Sequence, residues 1–230
     1  MIPIRDDAPR STTPYINYFL IALNTLVFLF EWSLAPRALN ALVFRYGFVP
    51  DHLNRWISGY LPADAAIIPV FSSMFMHASW LHLIVNMWFL AIFGDNVEDH
   101  LGHFRYLFFY LVCGIGADVT HYMFNINSRI PSVGASGAIA GVMGAYFILF
   151  PHARVLTWAF TFFLIRLPAW LVLSYWFVLQ FLAGAATAIT TSTHETGGGV
   201  AVWAHVGGFI TGLILVKIIP ARRQYYSYEY

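Results

Sequence analysis

The chain has 230 residues, of which 59% are hydrophobic and 10% are charged, and its formal net charge is +1. The charged share is well below the roughly 25% of soluble domains, so the composition is typical of a membrane protein. A net charge this close to zero gives no reason to expect nucleic acid as a partner. The single cysteine, Cys113, excludes an internal disulfide.

The apolar runs are long enough to cross a bilayer, which takes about 20 residues in a helix. Segment 1–14 is polar, and the first run, 16–32, lacks a small-residue cleavage site, so we expect it to remain as a span. The connection 33–69 is rich in aromatics but interrupted by charge and proline, which predicts a location at the membrane surface. Further spans are predicted at 70–93, 104–124, 133–150, 168–189 and 200–219.

The connections between the later spans are predicted from their composition. A polar turn is expected at 94–103, between the second and third spans. The apolar stretch 156–189 is too long for one crossing and is divided near Pro168, so 157–166 is expected to be interfacial. Residues 190–199 are predicted to form a loop, and residues 221–230 a tail.

Orientation follows from the basic residues, which are enriched on the cytoplasmic side of membrane proteins. With the N-terminus inside, the inner side carries Arg5, Arg10, Arg105, Arg154, Arg166, Lys217, Arg222 and Arg223. The outer side then carries Arg37, Arg45, Arg55 and Arg129. This asymmetry predicts that both termini are cytoplasmic, in the cell (inner) membrane, and that the even-numbered spans enter from the outside.

A serine lies at the first turn of the fourth span, which is rich in glycine and alanine. Ser136, Ala140 and Gly144 share one stripe of the helix, with Gly137 and Gly141 beside them. Small residues allow a neighbouring backbone to approach closely in a bilayer, so the hydroxyl can meet a group on another helix. Ser136 is therefore a candidate nucleophile; the alternative is an ordinary close-packed helix with a serine bonded to its own backbone.

A histidine lies in the sixth span, which also has a small-residue face. Gly212 falls almost beneath His205, and Gly208 is nearby. Packing of this face on the fourth span would bring the imidazole within hydrogen-bond reach of Ser136, and imidazole is a suitable base for activating a serine. Because no carboxylate accompanies this pair, another contact must set the imidazole's tautomer. The alternative for His205 is a passive helix–helix hydrogen bond.

Polar side chains in the second span suggest an oxyanion site. His82 and Asn86 are four residues apart and share one helix face, so both can donate hydrogen bonds to a developing oxyanion. The backbone N–H of Ser136, at a helix N-terminus, can add a third donor. His77 is about 140° round the helix from His82 and is expected to orient a loop. The alternative is that all three side chains bond to neighbouring helices.

These residues resemble the motifs of the rhomboid intramembrane serine proteases, and the predicted six-span layout covers nearly the whole chain. The matching motifs are His77-x4-His82-x3-Asn86, Gly134-x-Ser136-Gly137 and Ala204-His205-x2-Gly208, in this order on the second, fourth and sixth spans. The long first loop and the motif Gly94-x3-Glu98-x3-Gly102-x2-Arg105 also match.

The resemblance implies an all-α polytopic membrane protein, a six-transmembrane-helix rhomboid-like bundle with its protease domain over 15–220, and no cofactor or metal. It implies a Ser136–His205 catalytic dyad in a water-filled cavity open to the outside, with His82 and Asn86 stabilising the oxyanion. The supporting residues would be His77, Gly134, Gly137 and Gly208.

The partners implied are transmembrane protein substrates, cut at a small residue in or near the outer leaflet, and the lipid bilayer. A laterally mobile fifth span and a cap loop are also implied, around Trp176, Phe177 and residues 190–199. Two positions depart from the family pattern. Ala140 replaces an aromatic residue that commonly stacks on the histidine, which leaves the support of His205 open. The Trp-Arg pair of some members' first loop has no counterpart.

Other classes of protein fit less well. A membrane metalloprotease needs His-Glu-x-x-His, which does not occur in the sequence. An aspartyl intramembrane protease needs two buried aspartates, and only Asp118 lies within a span, near an end where solvation is expected. A transporter would show inverted halves, which are not visible. The remaining alternative is a non-catalytic rhomboid-like protein that binds and sorts membrane helices, although the serine and histidine whose loss would signal it are both present.

Overall fold

The computed structural model describes residues 1–159, 163–190 and 202–222. Its helices are α1 Tyr15–Ser33, α2 Pro36–Tyr46, α3 Pro50–Ile57, α4 Ala63–Ser72, α5 Trp80–Leu101, α6 His103–Phe124, α7 Ser136–Leu149, α8 Ala169–Thr190 and α9 Val202–Ile218. Its strands, β1 Ile2–Arg5, β2 Arg154–Ala159 and β3 Phe163–Pro168, form an antiparallel sheet in the order β1-β2-β3.

The helices are those of a polytopic membrane bundle. Within the described ranges, α1, α5, α6 and residues 169–186 of α8 are long and apolar enough to cross a membrane. The apolar helices α7 and α9 are shorter, with 14 and 17 residues. At 1.5 Å per residue α7 is about 21 Å long, less than the ~30 Å hydrocarbon core. Helix α7 alone is therefore too short to cross the hydrocarbon core.

The predicted second span, 70–93, is wrong in its boundaries. A short 3-10 turn, Ser73–Phe75, follows α4, and α5 begins only at Trp80. The break is stabilised by Ser79, whose hydroxyl accepts the N–H of His82 at 3.2 Å and so satisfies one of the free donors at the start of α5. His77 therefore precedes the helix instead of lying on it.

The predicted polar turn, 94–103, is also wrong, because α5 continues as far as Leu101. The carboxylate of the buried Glu98 accepts the backbone N–H groups of Ile16 at 3.0 Å and Asn17 at 2.7 Å, and lies 2.5 Å from the Nδ1 atom of His103. A carboxylate is stabilised at a helix N-terminus by such donors. The polar residues of this stretch thus attach the start of α1 to the end of α5 rather than forming an exposed loop.

The segment predicted to be interfacial, 157–166, falls on β2 and β3, with residues 160–162 outside the described part. In β2, Val155 and Thr157 are fully buried, whereas Trp158 is exposed, so one face of the sheet packs on the bundle. The sheet joins the end of α7 to the start of α8, and β1 adds the N-terminal segment to its edge. A location at the membrane interface stays a prediction.

The first loop, 33–69, contains α2, α3 and most of α4, and its position at the membrane surface also stays a prediction. Pro36 and Pro50 begin the first two of these helices, where a missing backbone N–H costs nothing. Residues 191–199 of the predicted cap loop and 223–230 of the predicted tail lie outside the described residues.

Candidate active site

Ser136 is the first residue of α7, and a glycine before it shapes the backbone. Gly134 has a φ of +139°, a conformation that L side chains rarely adopt. Its N–H donates to the carbonyl of Ser73 at 2.9 Å. A Cβ atom at Gly134 would lie 2.7 Å from Cε1 and 2.9 Å from Nε2 of His82. The missing side chain therefore leaves room for the His82 ring immediately beside the start of α7.

Helices α7 and α9 pack backbone to backbone through glycines. A Cβ at Gly208 would lie 2.0 Å from the carbonyl oxygen of Gly137, and a Cβ at Gly212 would lie 1.9 Å from that of Gly141. Real Cβ atoms do not come this close to a backbone oxygen, so no larger residue fits these two positions without moving a helix. The small-residue faces of the two helices thus pack against each other, as the sequence predicts.

The packing of α7 on α9 brings Ser136 and His205 together. The Nε2 atom of His205 lies 2.7 Å from the Oγ atom of Ser136, a normal hydrogen-bond distance. His205 is only 8% exposed. A serine hydroxyl that donates to an imidazole nitrogen has the geometry in which that nitrogen can accept its proton.

The other nitrogen of this imidazole contacts a residue that the sequence analysis missed. The Nδ1 atom of His205 lies 2.8 Å from Oε1 of Gln180 on α8. Trp176, one helical turn earlier, packs its ring against the imidazole with centroids 5.7 Å apart. The available signal was that Gln180 is a lone amide in an apolar span, and polar residues in spans are functional candidates by default.

His82 and Asn86 lie one turn apart near the start of α5, on the wall of the same cavity. The Nδ1 atom of His82 accepts the N–H of Ala78 at 3.4 Å, so the ring proton is carried by Nε2, which faces Gly134. The Nδ2 atom of Asn86 is buried and has no acceptor among the described residues. Both side chains therefore hold N–H groups that are available for a new acceptor.

His77 lies in the loop before α5 and is 4% exposed. Its backbone N–H donates to the Oε2 atom of Glu31 at 3.0 Å, which ties the loop to α1. Its ring packs edge-on against that of His82, with centroids 5.1 Å apart. His77 thus attaches its loop to α1 and packs on the His82 ring, and its predicted helical position is wrong. Its role in orienting a loop stays a prediction.

A cavity of about 630 Å³ connects these groups. Its wall includes His82, Asn86, Ser136, Gln180 and His205. It also includes Asp118, for which we expected solvation, but whose Oδ2 atom is buried and has no partner among the described residues. In the described ranges, no three His, Cys, Asp or Glu side chains converge as they would around a metal ion.

Comparison with protein families identifies one matching domain. The family model of the Rhomboid domain matches residues 64–222. The matched range begins in α4 and includes α5 to α9, so it contains the whole wall of the cavity that Ser136 and His205 share.

Three curated proteins illustrate the similarity. RHOMBOID-like protein 6, mitochondrial, of Arabidopsis thaliana is 33% identical over 157 residues, which cover 66% of this chain and 44% of that protein. Presenilin-associated rhomboid-like protein, mitochondrial, of Rattus norvegicus is 30% identical over 188 residues, or 76% of this chain and 45% of that protein. Rhomboid protein 1, mitochondrial, of Saccharomyces cerevisiae is 28% identical over 172 residues, or 68% and 44%. The chain thus spans less than half the length of each.

Proposed function

Because the chain belongs to the rhomboid family, we propose that it is an intramembrane serine endopeptidase that cleaves single-span membrane proteins through Ser136 and His205. The observation that carries the proposal is the 2.7 Å contact between Ser136 Oγ and His205 Nε2 in a shared cavity. A serine and an imidazole in this arrangement are the minimum machinery of nucleophilic acyl transfer.

The reaction follows from the two contacting atoms. The Oγ atom of Ser136 attacks the scissile carbonyl carbon while His205 Nε2 takes the hydroxyl proton, giving a tetrahedral oxyanion. The C–N bond then breaks, and the imidazolium gives its proton to the leaving amine. Water attacks the resulting acyl-enzyme, with His205 taking a proton from the water and returning it to Ser136. One peptide bond and one water are consumed, and an acid and an amine are formed.

The oxyanion is stabilised by donors that already line the cavity. His82 offers its Nε2 proton, Asn86 offers the Nδ2 protons that have no acceptor among the described residues, and Ser136 offers its backbone N–H at the start of α7. Donors held in place before the reaction need no reorganisation, so each contributes strongly to transition-state stabilisation.

Removing either side-chain donor is expected to slow turnover strongly. His82→Ala or Asn86→Ala should lower kcat by ~10²–10³, because each loses a donor to the oxyanion. The melting temperature should change little in Asn86→Ala and fall somewhat in His82→Ala, which also loses the contacts of the ring with Ala78 and His77. The matched control is Ile84→Ala, since Ile84 lies between the two donors on α5 and is 50% exposed. Unchanged turnover in either donor variant would remove that residue from the oxyanion site.

The substrates we propose are transmembrane segments that can unwind locally. A stable helix keeps its carbonyls hydrogen-bonded, so a nucleophile in a bilayer reaches a peptide bond only where the helix is interrupted. The protease domain over 15–220 and a cut in or near the outer leaflet stay predictions. The relatives' names place them in mitochondria and do not support the predicted cell (inner) membrane, which also stays a prediction.

The proposal is tested by incubating the purified chain in detergent with a panel of single-span membrane proteins. We expect at least one substrate to yield two fragments, with the cut mapped to its transmembrane segment by mass spectrometry. Substrates that bind the chain but remain intact throughout the panel would instead support the non-catalytic alternative, in which the chain binds and sorts membrane helices.

A further inference from the structure

We propose that Gln180 is a positioning residue that fixes the tautomer and orientation of His205. The observation is the 2.8 Å contact between Gln180 Oε1 and His205 Nδ1. The inference deepens the proposed function and rests on it, because only a working base needs its tautomer set. Gln180 lies on α8, so this contact joins a third helix to the pair α7 and α9.

The chemistry of the amide determines which nitrogen carries the proton. An amide oxygen is an acceptor only, so the 2.8 Å contact requires a proton on His205 Nδ1. Nε2 then has a free lone pair, which faces the hydroxyl of Ser136 at 2.7 Å. In the opposite tautomer Nε2 would itself be protonated and could not accept the serine proton. In enzymes with a Ser-His-Asp triad, the wrong histidine tautomer lowers kcat strongly. A contact that sets the tautomer can therefore contribute strongly to the rate.

No other described side chain performs this task. The titratable groups that face the imidazole from neighbouring helices are His82 on α5 and Asp118 and His121 on α6, and none of them hydrogen-bonds to His205 in the described ranges. The carboxylate that usually supports a catalytic histidine is thus replaced by a neutral amide. A neutral acceptor suits this site because an unpaired charge would be costly to bury.

The same helix also supplies the aromatic support that α7 lacks. Ala140 has no ring to stack on the histidine, whereas Trp176 on α8 packs against it at 5.7 Å. Trp176 and Gln180 are four residues apart and so share one face of α8. On the opposite side, Val178 and Leu182 are 50% and 57% exposed. Both supports of His205 therefore depend on α8 being packed against α9.

The test measures how fast a small fluorophosphonate probe labels Ser136 in three variants of the whole chain. Gln180→Met keeps the shape and removes the acceptor, Gln180→Glu keeps an acceptor, and Leu182→Met is the matched control on the exposed face. The probe reports the nucleophilicity of Ser136 without a transmembrane substrate, so a role of Gln180 in substrate binding alone would not change its rate.

We expect Gln180→Met to label about 10–100-fold more slowly than the unmodified chain, a part of the ~10²–10⁴ that a general base contributes. Gln180→Glu should label several-fold faster than Gln180→Met but melt at a lower temperature, because its carboxylate is costly to bury. Leu182→Met should match the unmodified chain in labelling rate and melting temperature. An unchanged rate in Gln180→Met, or equal losses in the Met and Glu variants, would overturn the inference. No labelling of the unmodified chain would instead contradict the proposed function itself.

Discussion

Replacing Ser136 with alanine is expected to lower peptide cleavage by roughly 10⁵-fold or more, because the attacking oxygen is lost. The structural cost should be small. Among the described residues, the Ser136 side chain makes one hydrogen bond, to His205, and a single hydrogen bond contributes only ~1 kcal/mol to stability. The measurement is the rate of fragment formation from a cleaved single-span substrate, together with the melting temperature of each protein.

Ser132→Ala is the matched control for this experiment. Ser132 lies on the wall of the same cavity, and its replacement also removes a hydroxyl, one that has no hydrogen bond to His205 in the described part of the chain. We expect the Ser132 variant to cleave within a few-fold of the unmodified chain. Cleavage that persists in Ser136→Ala at more than a trace would show that another group performs the attack.

Adding one methyl group at Gly212 is expected to move His205 on α9 away from Ser136 on α7. The new Cβ would lie 1.9 Å from the carbonyl oxygen of Gly141, and a backbone atom cannot turn aside as a side chain can. Gly212→Ala must therefore shift α9 away from α7, at a stability cost of ~1–3 kcal/mol. Because misplacing a reacting group by 1 Å can cost ~10²-fold in rate, we expect cleavage to fall by that factor or more.

The control for the added methyl group is Gly59→Ala. Gly59 has a φ of +78°, and apart from its chain neighbours no described residue has an atom within 4 Å of the new Cβ, so only a backbone cost of roughly 1 kcal/mol is expected. Cleavage and melting temperature are measured for both variants. A Gly212→Ala protein that cleaves at the unmodified rate would show that close α7–α9 packing is not what positions Ser136 and His205.

Much of the helical bundle follows from the sequence, because its long apolar runs leave few choices. The predicted first, third and fifth spans agree with α1, α6 and α8 to within a residue or two. Where the sequence analysis failed, polar residues were taken as exposed. Glu98 and its neighbours read as a loop, yet the carboxylate is buried against the start of α1. A single sequence does not show which backbone donors will meet a carboxylate from a distant helix.

The contact between Ser136 and His205 was predictable from the sequence, because it depends on local patterns within two helices. The glycine-rich faces around Ser136 and His205 carry a local signal for close packing, and the structure places the two side chains in contact. Gln180 and Trp176 carry no such signal, because their roles depend on how α8 rotates against α9. The sequence indicated that the imidazole's second nitrogen needs a partner, and it offered Gln180 as a lone amide in an apolar span, but it did not connect the two. The roles of all these residues stay predictions until activity is measured.

The most direct measurement is to treat the purified chain with a fluorophosphonate and locate the adduct by mass spectrometry. An activated serine displaces fluoride from phosphorus, forming one P–O bond as the hydroxyl proton passes to the imidazole. We predict a single adduct on Ser136 that disappears when His205 is replaced by alanine. A chain that cleaves substrates but carries no adduct at Ser136, or the same adduct without His205, would contradict the Ser136–His205 dyad.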